Sequence, residues 1–153
     1  MGLVGVVAGA TIAMVGPYVV GRAEARERLG TLLLEQCSQL VALSEDYRNR
    51  IWEERNALSE TAVADWDLPA YRLAQARLKI LCTSEPVLAS VTNLQQTGIA
   101  LGREWRLSRT DGPAVETAWK AHRKALDDFT AHGSSLVLAR LRGDRKASLP
   151  FTR

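Results

Sequence analysis

Two cysteines, two histidines and scattered carboxylates are the residues of this chain whose chemistry could go beyond packing. Cys37, Cys82 and His122 fall on apolar helical stripes, and His132 lies four residues after Asp128. A di-metal helical bundle needs facing Glu-x-x-His motifs, and the chain contains none. No Gly-x-Ser-x-Gly elbow, His-Glu-x-x-His pair or cysteine knuckle is present either. The two thiols read as small buried hydrophobes that fit a reducing compartment. In a hairpin turning near residue 65 they stand roughly 16 Å apart along the axis, beyond the ~7 Å that a disulfide allows. His122 reads as a satisfied core histidine. Trp52, Trp66, Trp105 and Trp119 read as core or interface aromatics rather than a base-stacking platform. The expectation is therefore no enzyme, no cofactor and no metal. A net charge of +3 and 24% charged residues are ordinary for a folded protein and do not point to nucleic acid.

The elements that hold these residues begin with GLVGVVAGATIAMVGPYVVGR, residues 2–22, which carries no charged side chain before Arg22. A dinucleotide-binding start needs G-x-G-x-x-G, and glycines at 2, 5, 9 and 16 do not supply it. A core helix of a soluble domain keeps a polar face, whereas here only Thr11 and the Tyr18 hydroxyl are polar. About 20 residues at ~1.5 Å each match the ~30 Å hydrocarbon layer. A cleaved signal would carry a basic start and a shorter apolar core. The reading is a transmembrane helix over residues 1–21. Arg22, Arg26 and Arg28 follow it and no Lys or Arg precedes it, so the positive-inside rule puts the N-terminus outside and the remainder in the cytoplasm, at the inner or plasma membrane.

Beyond the span the apolar period is helical throughout. Leu29, Leu33, Cys37, Leu40, Ser44, Tyr47, Ile51 and Leu58 form one stripe to about residue 62. Asp67-Leu-Pro69, Ser84-Glu-Pro86 and Thr110-Asp-Gly-Pro113 read as helix starts. Arms over 22–62, 68–107 and 113–141, joined by short turns, predict an all-α fold: the transmembrane helix continuing into an elongated antiparallel three-helix bundle. A sharp break near Pro86 would make it four. The bundle covers residues 22–142, and 143–153 form a flexible basic tail.

The segment running into RAEARERL, followed by SEDYRNR and a late AWKAHRKAL, resembles small single-span membrane proteins of high-GC actinobacteria. That resemblance implies a membrane location and no activity. The layout is also similar to phage inner-membrane spanins, although the arginines after the span oppose the spanin orientation.

Two surfaces follow. Gly2, Gly5, Gly9, Ala13 and Gly16 share one face of the span, a small-residue face that permits close helix association and a homo-oligomer. Leu29, Leu33 and Leu40 are candidates to extend it and are equally needed inside the bundle. If the second arm returns to the membrane, Arg103, Trp105, Arg106 and Arg109 lie level with Arg22, Arg26 and Arg28, forming a basic, tryptophan-bearing contact with lipid. Membrane lipid, a second copy and a protein partner are the expected partners. The expected role is a membrane-anchored interaction or scaffold protein, the alternative a membrane-perturbing protein.

Overall fold

The structure is a computed structural model that describes residues 4–109 and 112–142, with the side chains of residues 4–20 and Arg22 outside the description. The described residues form four α-helices and no strand: α1 Val4–Arg55, α2 Leu68–Leu81, α3 Glu85–Ser108 and α4 Pro113–Arg142. The fold is all-α and the middle arm is two helices. Among the residues whose side chains are described, no helix is long and apolar enough to cross a membrane. The small-residue face at Gly2, Gly5, Gly9, Ala13 and Gly16, and the tail 143–153, lie outside the residues whose side chains are described.

α1 is one unbroken helix of 52 residues, about 78 Å at 1.5 Å per residue. Residues 23–28 are exposed on every side and burial begins at Gly30, so a bare stalk precedes the packed part. The helix stops at Arg55 rather than near residue 62. Its end is a Schellman cap, in which the Leu58 N–H donates to the Glu53 carbonyl at 3.0 Å and the Ala57 N–H to the Glu54 carbonyl at 3.2 Å. Ala57 holds the left-handed position, φ 54°, where glycine is the usual occupant. Periodicity continues past this point, which is why the sequence predicts a longer helix.

Residues 56–67 are not a tight turn. They run back along α1 as a strap fastened at three places. The Val63 N–H donates to Glu54 Oε1 at 2.9 Å, Arg50 Nη1 to the Ala62 carbonyl at 2.9 Å, and Trp66 Nε1 to the Leu43 carbonyl at 3.0 Å. α2 therefore starts level with residues 43–47 of α1. Asp67 caps it, Oδ1 accepting from the Ala70 N–H at 2.9 Å, with Pro69 in the first turn. α2 closes where the Cys82 N–H donates to the Leu78 carbonyl. Pro86 starts α3 within a few residues, and α3 runs back parallel to α1.

α4 returns antiparallel to α1. Arg55 meets Glu116 at 3.7 Å near one end, and Gly30 packs against Leu141 near the other. The order is up, down, up, down, with α2 the short member. One core cluster joins Leu33, Leu40, Leu78, Val91, Leu94 and Phe129; a second, at the α1 C-terminal end, joins Tyr47, Ile51, Leu101, Trp105 and Val115. Of the stripe read from sequence along α1, Leu33, Leu40 and Ile51 are fully buried, but Leu58 is exposed.

This register corrects two expectations. Cys37 and Cys82 share one core cluster, and the charge of one is felt by the other, because the strap slides α2 down α1. Both are free thiols and buried. Arg103, Trp105, Arg106 and Arg109 do not meet the stalk arginines. Arg109 pairs with Glu54 at 2.6 Å, and Glu54 lies 26 residues beyond Arg28 on α1, about 39 Å away. The break at 82–84 reverses the chain once more than a three-helix hairpin does, so α3 ends at the distal pole. Arg26 and Arg28 remain on the stalk; the side chain of Arg22 is not described.

Candidate functional site

Where α2 leaves the strap it makes only sparse contact with α3. The gap between them is a cavity of about 330 Å³, at the lower end of the size range of small-molecule sites. Ser44 and Tyr47 of α1, Trp66 of the strap, Tyr71, Arg72 and Gln75 of α2, Gln95, Gly98, Ile99 and Arg106 of α3, and His122 of α4 line it, closed below by Val63, Ala64 and Leu68.

Its wall is aromatic. Trp66 stands between Tyr47 and Tyr71, with ring centroids 4.5 and 5.0 Å apart, and the His122 ring meets Tyr47 edge-on at 6.3 Å. Tyr47 is held against α3 by the bare Cα of Gly102: a Cβ there would collide with the Tyr47 hydroxyl. Burial pushes the Tyr71 pKa up to about 12, with the Ser44 and Gln75 side chains beside its hydroxyl lowering it in part.

Two polar groups in this wall are buried and only half satisfied. His122 is 1% exposed. Its Nδ1 lies 3.2 Å from Thr97 Oγ1, and the single proton of that hydroxyl is directed at the carbonyls of Asn93 and Leu94. Thr97 is therefore the acceptor and His122 Nδ1–H the donor, which leaves Nε2 as a bare lone pair with no partner. Burial, reinforced by the Arg48 charge, pushes the His122 pKa down to about 4, so the ring is neutral at physiological pH. Gln75, 5% exposed, has an Nε2 amide with no partner. Unsatisfied buried groups of this kind are rare in folded proteins. At the mouth Arg72 and Arg106 are exposed and have no ion-pair partner among the described residues, and no carboxylate lines the cavity.

His122 thus differs from the satisfied core histidine that its stripe position predicts. The tryptophans divide. Trp66 forms the cavity wall; Trp105 Nε1 donates to Glu54 Oε2 at 2.6 Å; Trp119 lies against the guanidinium groups of Arg48 and Arg55 at 5.0 and 5.2 Å; Trp52 is half exposed. The signal for the cavity was present as Ser44 and His122 at apolar-stripe positions. What brings them together is the strap, which periodicity does not show.

A second depression lies between α1 and α4, about 300 Å³ and almost wholly apolar, with Leu34, Val41, Phe129 and Val137 among its lining residues. Among the described residues no group of three or more His, Cys, Asp or Glu side chains could hold a metal ion. No protein-family model, curated protein or solved structure matches the chain.

Proposed function

We propose that this chain is a membrane-anchored helical interaction module: residues 1–21 span the bilayer with the N-terminus outside, and the bundle projects into the cytoplasm and works by binding rather than by catalysis. The observation that carries the reading is the continuity of α1. The helix that starts in the uncharged segment at Val4 passes without a break into the packed bundle at Gly30 and ends at Arg55. Such a rod couples any rotation or association of the span to the bundle.

The same continuity supports self-association. Gly16 and Leu34 are 18 residues apart and Gly5 and Val41 are 36 apart, five and ten whole turns at about 3.6 residues each. The small-residue face therefore falls in phase with the depression between α1 and α4, and two copies packed through Gly5, Gly9 and Ala13 bring Leu34 and Val41 of both together. Leu33 and Leu40 are fully buried inside the bundle and do not extend that contact, whereas Leu34 is half exposed. With the Arg103–Arg109 group at the distal pole, the basic residues nearest the stalk besides Arg26 and Arg28 are Arg140 and Arg142 at the end of α4.

The test is a membrane two-hybrid measurement on the full chain. Self-association is expected, with Gly9→Ile abolishing it and Leu34→Asp weakening it. A full-length chain that gives no signal, or one indifferent to both substitutions, overturns the self-association. A reporter fused after Arg153 should be active in the cytoplasm; periplasmic activity would reverse the orientation and favour the membrane-perturbing, spanin-like reading.

A further inference from the structure

We infer that the pole of the bundle nearest the stalk docks on an anionic lipid surface, the headgroup layer of the bilayer that residues 1–21 enter. The inference rests on the anchor proposed above and adds a second, peripheral contact to it. Three segments meet at this pole. Leu141 of α4 packs on Gly30 of α1. Ile80 follows Leu68, the first residue of α2, by 12 residues or about 18 Å, which brings it level with residues 31–35 of α1. The break between α2 and α3 closes the same end. The exposed side chains here are aliphatic and cationic. Ile80 is 81% exposed, more than any other large apolar side chain described, and Leu138 and Leu141 are half exposed. Lys79 and Arg142 are exposed and Arg140 is half-buried. Along the sequence Arg140, Arg142, Arg145 and Lys146 fall within seven residues, opposed by Asp144 alone.

A basic cluster close to a membrane segment is what anionic headgroups attract, and aliphatic side chains on the same surface gain from entering the interface. Glu85 is the acidic residue beside the break, and it lies in the first turn of α3, where the helix N-terminus offsets its charge. Distance selects lipid as the occupant. Arg22 to Gly30 is eight residues, about 12 Å along the helix, and the headgroup layer is about 5–7 Å thick. A tilt of about 20°, average for membrane helices, lowers a neighbour about 10 Å away by a further 3–4 Å. Lysine and arginine span what remains, their stems along apolar surface and their charges at the phosphates.

The test uses the full chain in nanodiscs that contain a lipid with a nitroxide quencher on its headgroup. A fluorophore is placed at Thr83→Cys, exposed between α2 and α3, or at Leu107→Cys, exposed at the distal pole. Cys37 and Cys82 are buried, so the label goes to the added thiol. In discs with about a third phosphatidylglycerol the Thr83 label should be quenched at least about twice as strongly as in phosphatidylcholine alone, and the Leu107 label in neither. About 0.5 M salt, or Lys79→Glu combined with Arg142→Glu, should return the Thr83 label to its phosphatidylcholine level. The salt arm involves no charge reversal and decides alone should the doubly reversed chain fail to fold, as circular dichroism will show. Quenching indifferent to lipid charge, or equal at the two poles, overturns the proposal. A Thr83 label shielded from both the headgroup quencher and aqueous iodide marks a protein or a second copy on this pole and likewise overturns it. A chain that does not enter the discs overturns the anchor and this contact with it, whereas one that enters them with the Thr83 label unquenched overturns the contact alone.

Discussion

Replacing Glu54 by glutamine should be the most destabilising isosteric change at the distal pole. The Glu54 side chain is 3% exposed and its two oxygens receive three donors. Oε1 accepts from the Val63 N–H at 2.9 Å, while Oε2 accepts from Trp105 Nε1 and from Arg109 Nη1, both at 2.6 Å. One carboxylate thereby joins the α1 terminus, the strap and the end of α3. Glutamine keeps the volume, so no cavity forms, but it has a single acceptor oxygen. Turned to serve Trp105 and Arg109, it sets its NH2 against the Val63 N–H. An unsatisfied buried donor costs about 1–3 kcal/mol, and loss of charge from the remaining two bonds adds about 1 kcal/mol, for a total of about 3 kcal/mol. At 2–4 °C per kcal/mol for a chain of this size, thermal unfolding followed by circular dichroism should fall by about 6–12 °C. Arg109→Met, at a side chain that is itself 57% exposed, should cost far less and be non-additive with Glu54→Gln. A fall below about 2 °C for Glu54→Gln would refute the idea that this carboxylate fixes the strap.

His122 supplies a pH dependence of defined sign. Its folded pKa of about 4 lies below the unfolded value of about 6.5, so the proton prefers the unfolded chain. Its contribution is complete above pH 6.5 and is lost as pH falls toward 4, by about 3 kcal/mol in all; His122→Asn should flatten that part of the stability profile, whatever it costs at neutral pH. Ala57→Gly should raise unfolding free energy by about 0.5–1 kcal/mol, because φ 54° costs alanine and not glycine; a loss of stability would contradict the cap. Burial lifts the Cys37 thiol to about 11 and raises Cys82 too, so both should resist alkylation at pH 8 in the folded chain and react promptly in denaturant; rapid labelling without denaturant would show that this core opens.

Much of the fold was legible because local chemistry and burial agree. Pro69, Pro86 and Pro113 each lie in a first helical turn, where a fixed φ and a missing N–H do no harm. The buried stripes of α1, α3 and α4 keep the spacing of one helical face. The strap was not legible. Its first residues continue the helical period, its cap uses alanine where glycine is the usual sign, and it is held by Glu54, Arg50 and Trp66 reaching across sequence separations of 9, 12 and 23. Misplacing it shifted α2 along α1 and separated Cys37 from Cys82, while reading α2 and α3 as one arm sent Arg103 and Arg109 to the wrong pole. The cavity was hidden for the same reason. Ser44 and His122 look like tolerated polar residues in apolar stripes until the strap sets Trp66 between Tyr47 and Tyr71.

The proposal that residues 1–21 anchor the bundle is tested most directly by extracting membranes that carry the full-length chain with alkaline carbonate. The account predicts that the chain stays in the pellet and is released only by detergent, while a chain lacking residues 1–21 is found in the supernatant. Full-length chain released by carbonate without detergent would contradict it.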